Sequence, residues 1–242
     1  MPTQLKIVPD STNVALWQRY KPVQERSEDW QTYKEFPGKN ANDSLGKRIR
    51  FLSLAQLVRQ VVAIEGSFAE CGCLWGESTY MIARTMARIG RSESLHVFDS
   101  FEGLSPGSAE DRQRSPNYVD VFGLQEALKS GETMFRADIE TTKRNLAAFP
   151  FVRLYPGWIP SRFAEVASET FAFVHVDVDI YEPTLRSLEF FYPRLARGGA
   201  IQIDDYNFMD WPGTTAAVDQ FLAANKPSFF YELPLGGAFL IK

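Results

Sequence analysis

Five short apolar runs, four of them leading into a segment of helical period, constrain this chain more than any other feature. Phe68 to Cys71, Leu95 to Phe98, Phe151 to Tyr155, Phe171 to Val178 and Ala200 to Ile203 have the length and bulk of strands. The helical segments that follow are Ser78 to Ile89, a stretch capped by Asp138 and running to about Phe149, Thr184 to Leu195, and Thr215 to Ala224. An earlier helix is capped within Asn42-Asp-Ser44, keeps its period through Ile49, Leu52, Leu57, Val58 and Val61, and ends at Ile64-Glu-Gly66. Alternating elements of this kind predict an α/β fold with a doubly wound, mostly parallel sheet. Arg197-Gly-Gly199 reads as a turn into the fifth strand. Ser228 to Leu233 and Ala238 to Ile241, joined through Pro234-Leu-Gly-Gly237, add a closing antiparallel hairpin and bring the sheet to seven strands.

Two stretches escape the pattern. Residues 1–43 mix Trp17, Tyr20, Trp30, Tyr33 and Phe36 with charges and prolines, without a clean period. They read as an N-terminal arm or lid whose aromatics pack on the body, on a ligand or on a second subunit. Residues 44–242 form the main domain, with an insertion at about 105–137. A long loop inside a compact domain is commonly a lid or binding loop.

Composition narrows the function classes. The net charge is −4 and the basic residues are dispersed, so no nucleic-acid footprint is present. The longest basic stretch, Gly46-Lys-Arg-Ile-Arg50, reads as a solvated helix start. No apolar run reaches the ~18 residues of a membrane helix, and no signal peptide is visible. Cys71 and Cys73 are too close in sequence to bridge without strain, so reduced thiols in a cytoplasmic protein are expected. A zinc site would need more soft ligands than His96 and His175 can add.

The chemistry concentrates at strand ends. Asp177 and Asp179 close the fourth strand and Asp204 and Asp205 close the fifth, with no Lys or Arg among them in sequence. Asp177 and Asp179 would share one face if their strand continued that far. Converging carboxylates repel one another, and a hard divalent cation with oxygen ligands relieves this. The carboxyl edge of a parallel sheet is also where open α/β proteins bind ligands. Glu70-Cys-Gly72-Cys-Leu-Trp-Gly76 is a strand-to-helix turn in which glycine permits close approach to a ligand, but it lacks the third glycine of a dinucleotide fingerprint. Asp99 ends the second strand, where such folds place an acid for ribose hydroxyls. His175, inside an apolar strand, reads as a core imidazole or a support to the site. Trp158 either covers an adenine ring or packs, and Tyr206 and Trp211 either line an acceptor pocket or pack.

Four strings together resemble the macrocin O-methyltransferase (TylF-like) family: Glu70-Cys-Gly-Cys-Leu-Trp-Gly-Glu-Ser78, Phe98-Asp-Ser-Phe-Glu-Gly-Leu104, Asp177-Val-Asp-Ile-Tyr181 and Gly198-Gly-Ala-Ile-Gln-Ile-Asp-Asp-Tyr206. The resemblance covers about residues 44–225. It implies a Rossmann-like class I methyltransferase that uses S-adenosylmethionine and Mg²⁺ to methylate a hydroxyl, as on the sugar of a glycosylated natural product or glycan. It implies Asp177, Asp204 and Asp205 as metal ligands and Asp179 as general base. It places Glu70, Gly72, Ser78, Asp99, Ser100 and Asp177 at the cofactor, with Trp158 beside them. The expected partners are a small-molecule or glycoside acceptor and a second copy of the chain in a homo-oligomer. The chain departs from the family at Gly76-Glu77-Ser78, usually Gly-Gly-Ser, and at Gly213-Thr214, often Gly-Cys. The alternatives are methylation of a phenol or catechol, and an NAD-dependent oxidoreductase. The latter leaves the Asp doublets and the terminal hairpin unexplained.

Overall fold

The computed structural model describes residues 27–38, 43–113, 135–233 and 236–242. Residues 1–26 and 39–42 of the expected arm, 114–134 of the expected insertion and Pro234-Leu235 of the hairpin turn lie outside the described residues. Seven strands form one sheet: β1 (Ser67–Cys71), β2 (Leu95–Asp99), β3 (Val152–Pro156), β4 (Phe171–Val176), β5 (Leu195–Ile203), β6 (Phe229–Glu232) and β7 (Ala238–Ile241). Their order is β3-β2-β1-β4-β5-β7-β6. β1 to β5 pair in parallel, and β7 runs antiparallel to both of its neighbours. The doubly wound sheet and its closing hairpin therefore stand as expected.

Helices cover both faces. On one side lie α1 (Glu28–Glu35), α2 (Leu45–Gln60), α3 (Glu77–Arg88) and α4 (Ile139–Asn145). Here Leu54, Val58, Met81, Ile82 and Met86 pack on Phe68, Leu95, Val97 and Phe173 of the sheet. On the other side α5 (Tyr181–Arg194) and α6 (Pro212–Ala224) set Leu188, Phe191, Val218 and Phe221 against Val174, Val176, Ile201 and Ile203. Burial of both sheet faces accounts for strands that are apolar throughout instead of alternating.

Several local features differ from the sequence reading. α1 is a helix within the stretch that shows no period. Ser27 caps it, and Trp30 and Tyr33 stack at 5.4 Å as they enter the core beside α2. Two aromatics three apart are too few to reveal a period, yet they bury enough apolar surface to dock one short helix. Arg197-Gly-Gly199 is not a turn between elements. β5 begins at Leu195, and the extra residues form an irregularity between the Phe171–Leu195 and Phe173–Ala200 pairs, with Gly198 at φ +81°. α4 stops at Asn145, four residues short of Phe149, whereas α5 starts at Tyr181, three residues before Thr184. Pro183 then occupies the third helical position, where no N–H is required. Other boundaries agree with the reading to within a few residues: Ser44 caps α2, Asp138 caps α4, and β7 spans the expected Ala238–Ile241.

Candidate active site at the carboxyl edge of the sheet

The backbone ladder continues one residue past four strands and so aligns their tips. Gly72 N–H donates to Phe98 O at 2.8 Å, Asp177 N–H to Cys71 O at 2.8 Å, Asp204 N–H to Val176 O at 2.9 Å, and Gly157 N–H to Asp99 O at 2.9 Å. The turn after β1, Asp99, the Asp177–Asp179 loop and Asp204-Asp205 thus share one edge. Among the described residues no helix is long and apolar enough to cross a membrane.

The two Asp doublets converge there. One carboxylate oxygen from each of Asp177, Asp179 and Asp205 lies within 4.8 Å of the others, and a ring nitrogen of His175 with oxygens of Asp177 and Asp204 forms a second such group. Asp177 and Asp179 do not meet by sharing a strand face, because β4 ends at Val176. The chain turns instead, with Asp179 in the left-handed region at φ +62°. That conformation is unusual for a residue with a side chain and is tolerated by Asp and Asn. Burial, reinforced by the charges of Asp204 and Asp205, pushes the Asp177 carboxyl well above its ordinary range. Burial and Asp177 do the same to Asp179, and burial with Asp179 to Asp205. Asp204 is the exception: burial opposes its ionisation, but Arg50 and His175 hold it below the usual carboxylate range.

No Lys or Arg lies among these acids in sequence, but the fold brings Arg50 to them from α2. Its Nη1 lies 3.2 Å from Asp204 Oδ2 and 3.6 Å from Asp205 Oδ1. One turn earlier on α2, Lys47 Nζ donates to Glu77 Oε2 at 2.6 Å, in a pair that is largely buried. Gly46-Lys-Arg-Ile-Arg50 is therefore not a solvated helix start: Lys47 and Arg50, three apart, share the face of α2 that meets α3 and the sheet edge.

The residues expected at the cofactor divide into two groups. Glu70 exposes no surface. Thr79 Oγ1 donates to one of its oxygens, and the other shares a 2.9 Å hydrogen bond with His175 Nδ1. It braces the turn from beneath through these two bonds. His175 is the support to the site that its strand position allowed. Burial lowers its pKa, but Asp204 and Glu70 outweigh that and carry it to about 10. Gly72, at φ +82°, lets β1 pass the backbone of Asp177. Ser100 is turned inward: its hydroxyl donates to Gly103 O at 2.9 Å and accepts from Glu102 N–H at 3.0 Å. Ser78 lies buried in the first turn of α3. Trp158, on the loop that Gly157 joins to Asp99, keeps 40% of its surface exposed. Tyr206 and Trp211 are buried. Tyr206 donates to Asp219 Oδ1 at 2.9 Å, and Trp211 packs with Ile180, so both serve the loop structure.

Asp99 does more than the reading assigned to it. Its Oδ2 accepts from the N–H groups of Cys73 (2.7 Å) and Leu74 (3.0 Å), and Oδ1 from Phe101 N–H at 2.7 Å. A carboxylate has about four acceptor positions, so one remains for a ligand hydroxyl. Asp99→Ala removes both the acceptor and the anchor of the β1 turn. We expect donor affinity to fall by about tenfold in calorimetry, the scale of one charged hydrogen bond; native affinity would remove Asp99 from the cofactor site.

Asp111 was not singled out from the sequence. It is buried in the 3₁₀ turn Glu110–Arg112, and its Oδ1 accepts from Tyr181 N–H at 2.8 Å. It thereby caps α5 from seventy residues away, because Ile180 at the N-cap has no side-chain acceptor. Gly213 permits this, since a Cβ there would lie 1.7 Å from the same oxygen. The start of the insertion is thus tied to the loop that carries Asp179.

Residues 7–228 match the sequence model of the macrocin-O-methyltransferase (TylF) family. The chain belongs to this family. The demethyldecarbamoylnovobiocin O-methyltransferase of Streptomyces niveus is 27% identical over 209 residues, 83% of this chain and 72% of its own length. The 8-demethyl-8-(2,3-dimethoxy-alpha-L-rhamnosyl)-tetracenomycin-C 4'-O-methyltransferase of Streptomyces olivaceus is 29% identical over 165 residues, 65% of this chain and 60% of its own. Among solved structures, the O-methyltransferase NovP superposes with a TM-score of 0.64 at 25% identity, covering 80% of this chain and 79% of that one. The calicheamicin methyltransferase CalS11 shares the fold, with a TM-score of 0.65 at 21% identity over 98% and 94% of the two chains. This member of the macrocin O-methyltransferase family is an O-methyltransferase with S-adenosylmethionine as methyl donor, and the oxidoreductase alternative is set aside.

Proposed function

We propose that this macrocin O-methyltransferase family member is divalent-cation-dependent and methylates a hydroxyl of a sugar in a glycosylated natural product. The observation that carries the metal reading is a pair of clusters that share Asp177, one with Asp179 and Asp205 and the other with Asp204 and His175. The donor set is carboxylate oxygen, which suits Mg²⁺ or Mn²⁺, with His175 alone adding a nitrogen. Asp177, Asp204 and Asp205 would hold the ion. Bound there, it would supply Lewis acidity that brings an alcohol's deprotonation within reach near neutral pH. The sugar reading draws on the tetracenomycin relative, whose name places its methyl group on a rhamnosyl unit.

The remaining work falls to side chains of this chain. Asp179, partly open to solvent and held in a left-handed turn, is placed to take the acceptor's proton. His175 bonds to Glu70 beneath the β1 turn and faces Asp204 at 4.0 Å. Asp99 fixes the Cys73-Leu74 backbone that borders the donor. Orientation of donor and acceptor by such rigid strand tips removes much of the entropic barrier to methyl transfer.

Asp179→Asn keeps the left-handed conformation accessible and removes the base. We expect kcat to fall by about a hundredfold, the lower end of the range for general-base loss, with donor affinity unchanged. A variant with native kcat would assign the proton elsewhere. The acceptor class is tested by S-adenosylhomocysteine release over a panel of glycosylated and phenolic acceptors, with and without chelator. Turnover confined to glycosides and abolished by chelator supports the proposal; turnover of phenols alone, or turnover indifferent to chelator, overturns it.

A further inference from the structure

Arg50 has no part in the function proposed so far, yet it is the cation that the acidic edge faces. Its guanidinium reaches two carboxylates through a single nitrogen, Nη1, at 3.2 Å and 3.6 Å. A settled Arg–carboxylate pair uses two parallel N–H groups and shorter contacts. The Arg50 Nε is buried without a hydrogen-bond partner. The group is therefore held by the field of four acids more than by a complete set of hydrogen bonds. Such a cation is displaceable, because leaving gives up little directional bonding.

We propose that Arg50 competes with a divalent cation for Asp204 and Asp205, and so sets the affinity of the metal site. The inference rests on the metal reading above. Three observations point to it. Arg50 touches the same two residues that the metal would need from β5. Among the described residues no other cation forms an ion pair with Asp205. Its helix also pairs Lys47 with Glu77, so among the described residues Arg50 alone forms ion pairs with both members of the doublet. A site whose competent form is only partly populated shows an apparent dissociation constant raised by that fraction. Even if Arg50 swings aside on loading, its charge stays close and disfavours a second cation. The arrangement keeps like charges tolerable in the folded chain and trades away metal affinity to do so.

The test is calorimetric titration of Mg²⁺, and separately Mn²⁺, into EDTA-dialysed full-length protein without acceptor. Arg50→Gln and Arg50→Met remove the charge and keep most of the stem; Arg50→Lys keeps the charge. We expect the two neutral variants to bind the ion at least about tenfold more tightly than the wild type, and Arg50→Lys to stay within about threefold of it. We also expect the neutral variants to melt lower than wild type after dialysis and to gain more on adding Mg²⁺. A merely structural Arg50 would lower both melting temperatures and tighten nothing. Unchanged or weaker binding by whichever neutral variant folds, beside a wild type that binds, overturns the Arg50 proposal and leaves the metal site standing. Silence toward both ions in every variant overturns the metal reading itself. Silence in wild type with binding in a neutral variant supports the competition in its strongest form.

Discussion

Asp204→Ala is expected to reduce turnover by at least about a thousandfold, the effect of several kcal/mol lost from stabilisation of the reacting oxygen. Asp204 is the decisive member of the cluster for two reasons. It alone among the four acids is held on the ionised side, by Arg50 and His175 against the pull of burial, and so it is ready to bind a cation. It also sits at the end of β5, where the backbone bond from its N–H to Val176 O does not depend on the side chain. The fold and the β1 turn should therefore survive. S-adenosylmethionine affinity, measured by calorimetry, should stay within about threefold of wild type, because the bonds from Asp99 to Cys73 and Leu74, proposed above to border the donor, are untouched. The gain in melting temperature on adding Mg²⁺ should vanish as well. Substantial activity of this variant in the presence of chelator would remove the metal from the reaction. Equal loss of donor binding and turnover would mean instead that the acidic edge and the donor site are one structural unit.

The parts of this molecule that were legible in the sequence are those where local pattern and tertiary role coincide. The strand Phe171–Val176 is apolar at every position except His175, and both faces of it are covered, so its run length alone betrayed it. The Asp doublets could be read because charge following an unbroken apolar run marks the place where burial stops. Arg50 could not be read this way. A basic residue in the first turns of an amphipathic helix has the same local signature whether it faces water or a cluster of acids 150 residues further on. Only the docking of α2 and α3 on the sheet edge decides between them. Asp111 was hidden for a related reason: its partner, the N–H of Tyr181, is a backbone group, which leaves no mark on composition. The helix containing Trp30 and Tyr33 was hidden because a short helix docked by two aromatics has no period to detect.

Glu70 teaches a different lesson. Its place in the β1 turn matches a cofactor-binding pattern, and within the fold its two oxygens also brace the turn through Thr79 and His175. Within the sheet, Glu70 pairs with His175 and His175 with Gln202, so a row of buried polar side chains crosses three adjacent strands one step below the acidic edge. A buried polar row is costly unless it is bonded, and here the bond within the row is that of His175 to Glu70, while His175 Nε2 faces Asp204 at 4.0 Å and the Gln202 side-chain amide has no partner among the described residues. Residues that shape a site from below carry the same residue types as those that touch the ligand. Sequence position alone does not separate the two.

Gly72→Ala is expected to be the most damaging single methyl group in the chain's functional edge. Gly72 has φ +82°, and a Cβ there would lie 1.7 Å from the carbonyl oxygen of Asp177 and 2.8 Å from its carbon. Neither side can yield easily. Gly72 N–H is bonded to Phe98 O at 2.8 Å, and Asp177 N–H to Cys71 O at 2.8 Å, so both backbones are pinned into the ladder that aligns the strand tips. Left-handed strain of roughly 1–2 kcal/mol adds to a clash of roughly 1–3 kcal/mol, for a loss of about 2–5 kcal/mol. For a protein of this size that corresponds to a fall of about 4–20 °C in melting temperature. Gly46→Ala is the matched control. It lies inside α2 with nothing within 4 Å of the added methyl group, and there alanine should hold or raise stability by about 0.5–1 kcal/mol. Thermal denaturation of the pair separates the contribution of close approach from that of glycine replacement in general. Should Gly72→Ala melt within about 2 °C of wild type, β1 and β4 cannot meet as closely as this geometry requires, and the alignment that brings Asp177 beside the β1 turn would fall with it.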